Sequence, residues 1–158
     1  MPTLDLQALR AAVKRGQRLL GLDLGEKTIG LALSDTELTV ATPFKTLSRG
    51  KFTSDAAMLR ALIAEHAVGG LVIGLPLNMD GSEGPSAQSA RAFARNFAGV
   101  SDCPVAFTDE RLSTAAVTRA LIEADASRRR RKALVDKMAA AYILQNALDR
   151  MRHLPLRP

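Results

Sequence analysis

Residues 18–35 read Arg18-Leu-Leu-Gly-Leu-Asp-Leu-Gly-Glu-Lys-Thr-Ile-Gly-Leu-Ala-Leu-Ser-Asp35. Up to Leu24 the stretch is a near-continuous apolar run of strand length, which suits a strand buried on both faces. Gly25-Glu26-Lys27 is a turn, and Thr28 to Ser34 is a second strand, so the stretch predicts a β-hairpin. One carboxylate, Asp23, stands inside the first strand. Removing an ionised carboxylate from water is costly unless something pairs with it. A divalent metal ion is one such partner, and oxygen ligands suit Mg²⁺ or Mn²⁺. An Asp that caps the turn is the alternative at this position.

Outward from the hairpin, Thr39 to Leu47 reads as a third strand. Ser54 to His66 has Met58, Leu59, Leu62 and Ile63 at helical spacing, with Gly69-Gly70 as its stop signal. Leu71 to Gly74 is a short buried strand, and a loop from Leu75 to Pro85 follows. Ser86 is the expected cap of a helix reaching Phe97, with Ala90, Phe93, Ala94 and Phe97 as its apolar face. Pro104 to Thr108 is a further strand. Thr114 to Ala124 reads as a helix with Ser113 as N-cap, a basic stretch interrupts, and Ala133 to Met151 forms the last helix. Residues 1–17 form a short amphipathic helix with Leu4, Leu9 and Val13 toward one side. The order is βββαβαβα with a further helix at each end. It predicts an α/β fold, a mixed sheet with helices on both faces.

Composition narrows the function classes. The chain has 158 residues, 47 % of them hydrophobic, which fits one folded domain. No apolar run approaches the roughly 20 residues of a membrane span. Residues 1–17 carry Asp5 and do not read as a signal peptide, so the expected location is cytoplasmic. The single cysteine, Cys103, excludes an internal disulfide and a Cys-based zinc site. Lys and Arg number 22 against 16 Asp and Glu, a formal charge of +6, which favours a polyanionic partner. Arg128, Arg129, Arg130, Arg131 and Lys132 are consecutive. They read as a phosphate-contacting loop or as a plain solvated one. Aromatic residues are 4 % and Trp is absent, which argues against base-stacking modules.

Four carboxylates carry the chemistry. Asp109 and Glu110 follow the last strand in Thr108-Asp-Glu-Arg-Leu-Ser-Thr114, Asp136 lies in the first turn of the last helix, and Asp23 is on the first strand. Sites in open sheets gather at strand ends, so these acids can converge. Two divalent ions held this way position a water for in-line attack and stabilise the leaving oxygen, which is phosphodiester hydrolysis. Asp136 shares a helix side with Ala140, Ile143 and Ala147, which turns it toward packed protein. Each acid also has a plainer role open to it: Asp136 as a charge on the helix dipole, Glu110 as a partner of Arg111. Other chemistries are poorly supplied. His66 and His153 are the only histidines, and Cys103 before Pro104 reads as packing. There is no GxSxG elbow and no phosphate loop, since Gly50-Lys51 lacks the upstream Gly and is followed by Phe52.

The segments GLDLGEKTIGLALSD, VIGLPLNMDGSEGPSAQ, DERLST and VDKMAAAYILQ occur in that order between residues 21 and 145. Together they resemble the YqgF family, also called RuvX, of bacterial pre-16S rRNA nucleases or Holliday junction resolvase-like proteins. The resemblance runs from Arg18 to Asp149. It implies a ribonuclease H-like fold with a mixed five-stranded sheet. It also implies a metal-dependent nuclease whose catalytic and metal-binding acids are Asp23, Glu110 and Asp136, with Asp109 as a candidate fourth ligand of Mg²⁺ or Mn²⁺. Thr28 stands where many members have Arg, which leaves Lys27 as the basic contact at the hairpin. With Lys27, the expected nucleic-acid contacts are Asn78, Arg111 and the run Arg128 to Lys132. The nuclease domain is expected over 18–152, with 1–17 an extension outside the family core and 153–158 a tail.

The expected activity is hydrolysis of phosphodiester bonds in 5′-end processing of pre-16S rRNA, by a monomer or weak homodimer that takes structured RNA and no membrane. A Holliday junction resolvase acting on branched DNA is the first alternative. It needs two sites across a symmetric junction, and no dimer seam stands out. An actin-like or sugar-kinase-like ATPase fragment also opens with Asp-x-Gly on a hairpin, but 158 residues leave no room for its second domain. A nucleic-acid-binding regulator with a silent site is the last.

Overall fold

Residues 18–24 become the middle of the sheet because both faces of that strand are covered. The computed structural model describes residues 4–78, 80–109 and 128–153, with the backbone alone for 128–136. Its elements are α1 (Leu6–Ala12), β1 (Arg18–Leu24), β2 (Thr28–Ser34), β3 (Ala41–Ser48), α2 (Phe52–Glu65), β4 (Val68–Leu75), α3 (Pro85–Ala98), β5 (Val105–Asp109) and α4 (Arg128–Arg152). The sheet order is β3-β2-β1-β4-β5. β3, β2 and β1 are antiparallel, while β1, β4 and β5 run parallel. This is the mixed five-stranded sheet the sequence predicts.

Alternation sorts the core into two layers. Leu20, Leu22, Leu71, Ile73 and Val105 pack with Leu59 and Leu62 of α2 and Phe93 and Phe97 of α3. Leu19, Ala32, Val72 and Ala106 face the other way, onto Leu6 and Leu9 of α1 and Ala140, Ile143, Leu144, Ala147 and Leu148 of α4. Each fully buried Leu or Ile contributes about 1.5–3 kcal/mol. β4 is buried at all eight positions, as a parallel strand between two others must be.

Several boundaries differ from the sequence reading. Gly69 and Gly70 lie inside β4 and do not end α2. A Cβ at Gly70 would lie 2.7 Å from Leu9 Cδ1 and 2.9 Å from Leu19 Cδ2, so glycine is what lets α1 reach the sheet. α2 ends earlier, at Glu65, and Ala67 turns the chain with φ 54°. α3 takes Gly84 as its N-cap and Pro85 as its first residue, which leaves Ser86 inside the first turn. Proline suits that place because its fixed φ is helical and no N–H is missed. The third strand opens at Ala41, not Thr39. The Asp35 carboxylate accepts from Thr39 N at 2.7 Å, Thr39 Oγ1 at 2.6 Å and Val40 N at 3.1 Å, and this closes residues 35–40 as a turn.

At the N-terminus Asp5 caps α1, and Leu6 and Leu9 are the buried residues. Leu4 makes a bridge to Ala106, and Val13 is the C-cap. The last helix opens at Arg128, five residues ahead of Ala133, so the backbone of the basic run is helical and does not interrupt. Arg, Lys and Ala are among the strongest helix formers. Glu110, Arg111, Ser113 and the helix expected over 114–124 lie outside the described residues. Among the described residues no helix is long and apolar enough to cross a membrane.

Candidate active site

Asp23 is the next-to-last residue of β1 and pairs with Gly30 of β2. It lies one residue beyond the pair Leu22–Ile73, level with Gly74, and Gly74 pairs with Thr108 of β5. Gly30, Asp23, Gly74 and Thr108 thus form one row across four strands. Gly21 is on the α4 face, because a Cβ there would meet Leu144 Cβ at 2.8 Å and Ala140 O at 3.0 Å. Alternation puts Asp23 on the same face. Asp23 is half-buried on the α4 face of the sheet, between two residues that have no side chain. Thr108 closes the row. It is 3 % exposed, and its Oγ1 has no hydrogen-bond partner among the described residues.

Asp109 ends β5 one residue further on, and alternation turns it to the α3 face with Phe107. The Arg91 guanidinium of α3 sits 5.1 Å over the Phe107 ring. Asp23 and Asp109 are therefore at one end of the sheet but on opposite faces of it.

α4 runs antiparallel to β1. Near its C-terminal end, Gln145 Oε1 accepts from Ala41 N at 2.8 Å and Gln145 Nε2 donates to Thr39 O at 3.0 Å. That contact is beside the start of β1, since Ala41 pairs with Ser34 at the end of β2 and Leu19 N donates to Ser34 Oγ. Ala140 and Leu144 meet Gly21 in mid-strand. From Ala140 back to position 136 is about 6 Å along a helix, and from Gly21 on to Asp23 is about 6.6 Å along a strand. The first turns of α4, which include residue 136, therefore lie toward the Asp23 end of β1. Ala140, Ile143 and Ala147 are buried, as the sequence predicts for that side of the helix.

The hairpin that carries Asp23 is held from two sides. Gly25 N donates to Thr28 O at 2.9 Å, and Arg49 N donates to Lys27 O at 2.8 Å. Arg49 Nη1 donates to Gly25 O at 2.6 Å, and its guanidinium lies 5.8 Å over the Phe93 ring of α3. Arg49 was not singled out by sequence, where it is one of 22 cations with no pattern of its own. Lys27 is exposed at the hairpin tip.

Asn78 is exposed, and its amide is engaged within its own loop. Asn78 N donates to Ser82 O at 2.8 Å and Asn78 Nδ2 to Ser82 Oγ at 3.0 Å, while Ser82 Oγ donates to Asp80 at 2.6 Å. The loop is moored to α3 by a two-pronged pair, Glu83 to Arg91 at 2.6 and 2.8 Å. The hydrogen bond from Arg91 holds the Glu83 carboxyl below its ordinary value of 4.5.

Among the described residues no group of three His, Cys, Asp or Glu gathers. Glu110 and Arg111 lie outside those residues, and Asp136 and Arg128 to Lys132 are described by backbone alone, in the first turns of α4. The remaining nucleophiles have structural places. His66 is the C-cap of α2, edge-on to Phe44 with ring centres 4.9 Å apart. His153 is an exposed turn residue. Burial pushes the Cys103 thiol up to about 12.

Comparison with known proteins places this arrangement. The family model described as "Holliday junction resolvase", RuvX, matches residues 17–150. A protein of Paramagnetospirillum magneticum named "Putative pre-16S rRNA nuclease" is 62 % identical over 149 residues, covering 94 % of this chain and 96 % of that protein. One of the same name from Roseobacter denitrificans is 60 % identical over 150 residues, covering 94 % and 92 %. Among solved structures, Thermus thermophilus RuvC in complex with a Holliday junction substrate superposes with a TM-score of 0.51 at 13 % identity, covering 85 % of this chain and 96 % of that one. That likeness is one of fold, and the fold is ribonuclease H-like. From its ordered motifs through to its sheet, the chain belongs to the RuvX Holliday junction resolvase family.

Proposed function

We propose that this chain is a metal-dependent nuclease that hydrolyses phosphodiester bonds at the 5′ end of pre-16S rRNA, in the cytoplasm, as a monomer or weak homodimer. The observation that carries the reading is Asp23. It is a carboxylate on the α4 face, flanked by Gly30 and Gly74, at the end of the sheet toward which the first turns of α4, with residue 136, are directed. The choice of RNA rests on the names of relatives about 60 % identical along nearly the whole chain.

The donor set is all oxygen and suits a hard divalent cation, Mg²⁺ or Mn²⁺. Asp23, Glu110 and Asp136 are the proposed ligands. Asp109 is ranked below Glu110 because it alternates away from Asp23. The buried Thr108 hydroxyl, without a partner among the described residues, supplies a further oxygen on the same row. A bound cation would lower the pKa of a water and stabilise charge on the leaving oxygen. The chain's own part is to hold Asp23 rigidly, with two glycines giving a phosphate room to approach. Lys27, Arg111 and Arg128 to Lys132 hold the backbone of the substrate, and Asn78 keeps the loop beside it in shape.

Cleavage of a precursor 16S rRNA end, with Mg²⁺ or Mn²⁺ and then with EDTA, tests the reading. Asp23→Asn, Glu110→Gln and Asp136→Asn should each lower the rate at least ~100-fold while the circular dichroism spectrum is unchanged. Without metal these variants should melt no lower than wild type, because repulsion among clustered carboxylates is relieved. An Asp23→Asn protein that cleaves at the wild-type rate removes the assignment.

A further inference from the structure

At the far end of β1 from Asp23, the exit of α1 and the last turn of α4 enclose a cavity of about 190 Å³. Arg10, Lys14, Arg15 and Arg152 line it, against one acid, Glu37. All four cations fall outside residues 17–150, the span the family model matches. They come from the two ends of the chain, brought together by the fold. Arg10 Nη1 donates to Met151 O at 2.6 Å and ties α1 to the end of α4, and Arg152 pairs with Asp149. Lys14 and Arg15 are exposed, and their side chains make no hydrogen bond or ion pair among the described residues.

The platform under them is firm. Leu9 is fully buried against the sheet, and Leu4 N donates to Val105 O at 2.8 Å. Lys14 N donates to Gln17 Oε1 at 2.8 Å and Gln17 N to Lys14 O at 3.0 Å, closing the turn that presents Lys14 and Arg15. Burying Leu6 and Leu9 accounts for the helix. Glu37 and the Asp149 carboxylate offset two of the four cations, and the excess positive charge left at the cavity, with Lys14 and Arg15 exposed on its rim, favours an anion.

We infer that this basic cavity is a second contact for the phosphate backbone of the nucleic-acid substrate, distal to the acidic end of the sheet. The inference rests on the nuclease reading and adds a length requirement to it. Gln17, which lines the cavity, precedes Asp23 by six residues of nearly extended chain, or about 20 Å. At about 2.8 Å of axis per base pair of an A-form RNA duplex, that is about seven base pairs. A long stem reaches both sites, and a short one reaches the acidic end alone.

Binding in EDTA, where cleavage stops, is the test, with two RNA hairpins of ~16 and ~4 base pairs as probes. The variant is Lys14→Ala with Arg15→Ala, both exposed, and its melting temperature should match wild type. On the long hairpin its affinity at low salt should fall about tenfold. The slope of log affinity against log salt should flatten by about 1.4–1.8, two contacts at ~0.7–0.9 each. On the short hairpin neither quantity should move. An unchanged slope on the long hairpin overturns the distal site while leaving the nuclease reading intact, and so does an equal loss on both hairpins. Wild-type protein that binds neither hairpin overturns the distal site, while the nuclease reading stands or falls separately, on cleavage of the precursor 16S rRNA end with Mg²⁺ or Mn²⁺.

Discussion

A Cβ added to Gly21 would stand 2.8 Å from Leu144 Cβ, so the Leu144 side chain of α4 rests directly on the bare backbone of β1. The contact is two residues from Asp23 on the strand and about two turns from position 136 on the helix. It sets the spacing of the two elements proposed to share a metal ion. Gly21→Ala should push α4 off the sheet at a cost of about 1–3 kcal/mol. For a chain of this size that is a fall in Tm of about 2–12 °C. Cleavage should fall further than the unfolded fraction explains, since the acids are moved apart. A Gly21→Ala protein with the melting curve and rate of wild type would mean that the helix is not seated as described.

How much of this was legible in the sequence differs by element. The hairpin at 18–34 was readable because apolar run, turn residues and β-branched positions all agree there. The order of elements followed for the same reason. Gly69-Gly70 misled, because a glycine pair that ends a helix and one that admits a neighbouring helix to a strand look identical until Leu9 and Leu19 are in place. The basic run misled in the other direction. Five like charges suggest a solvated loop, while their helix propensity carries α4 back to Arg128. At the site, Asp23 was legible as a charge in an apolar strand. Its glycine neighbours Gly30 and Gly74, the Thr108 hydroxyl and the Arg49 staple depend on register across strands. A local pattern carries no register.

Glu83 and Arg91 give a pH dependence with a defined sign. The hydrogen bond from Arg91 lowers the Glu83 carboxyl below 4.5, and the same bond raises the Arg91 guanidinium. A carboxylate lowered on folding contributes above its unfolded value and loses that contribution as pH falls through its folded value. The mooring of the loop to α3 should therefore hold at pH 5 and above and release in more acid solution. Carbon-detected NMR titration should put Glu83 below 4.5, and Arg91→Ala should return it there. Amide exchange at Asn78, Gly81 and Ser82 should quicken in Arg91→Ala. A Glu83 that titrates at its ordinary value with Arg91 present would show that the pair is not formed in solution.

Cys103 should be inert. Burial raises its thiol from 9.0 to about 12, so almost none is thiolate near neutrality. Alkylation by iodoacetamide at pH 8 should run about a thousandfold slower than for a small free thiol, and it should reach the ordinary rate only in denaturant. Labelling at the rate of a free thiol in the native protein would place Cys103 at an open surface.

The last expectation separates the two substrates. A junction resolvase makes paired cuts across a two-fold axis and needs two sites held by a dimer. The large exposed apolar residues among those described are Val40, Met58, Val100 and Tyr142. They sit before β3, on α2, after α3 and on α4, one to an element, which is the scatter of an ordinary surface and not a seam. The chain also has few aromatics and 22 cations, equipment for gripping phosphates more than for reading bases. Light scattering at micromolar concentration should therefore give a monomer. In a side-by-side assay at matched salt, precursor rRNA should be trimmed faster than a four-way DNA junction is cut. Symmetric paired nicks in the junction, made by a dimer that leaves the RNA intact, would make the resolvase the better description of this chain.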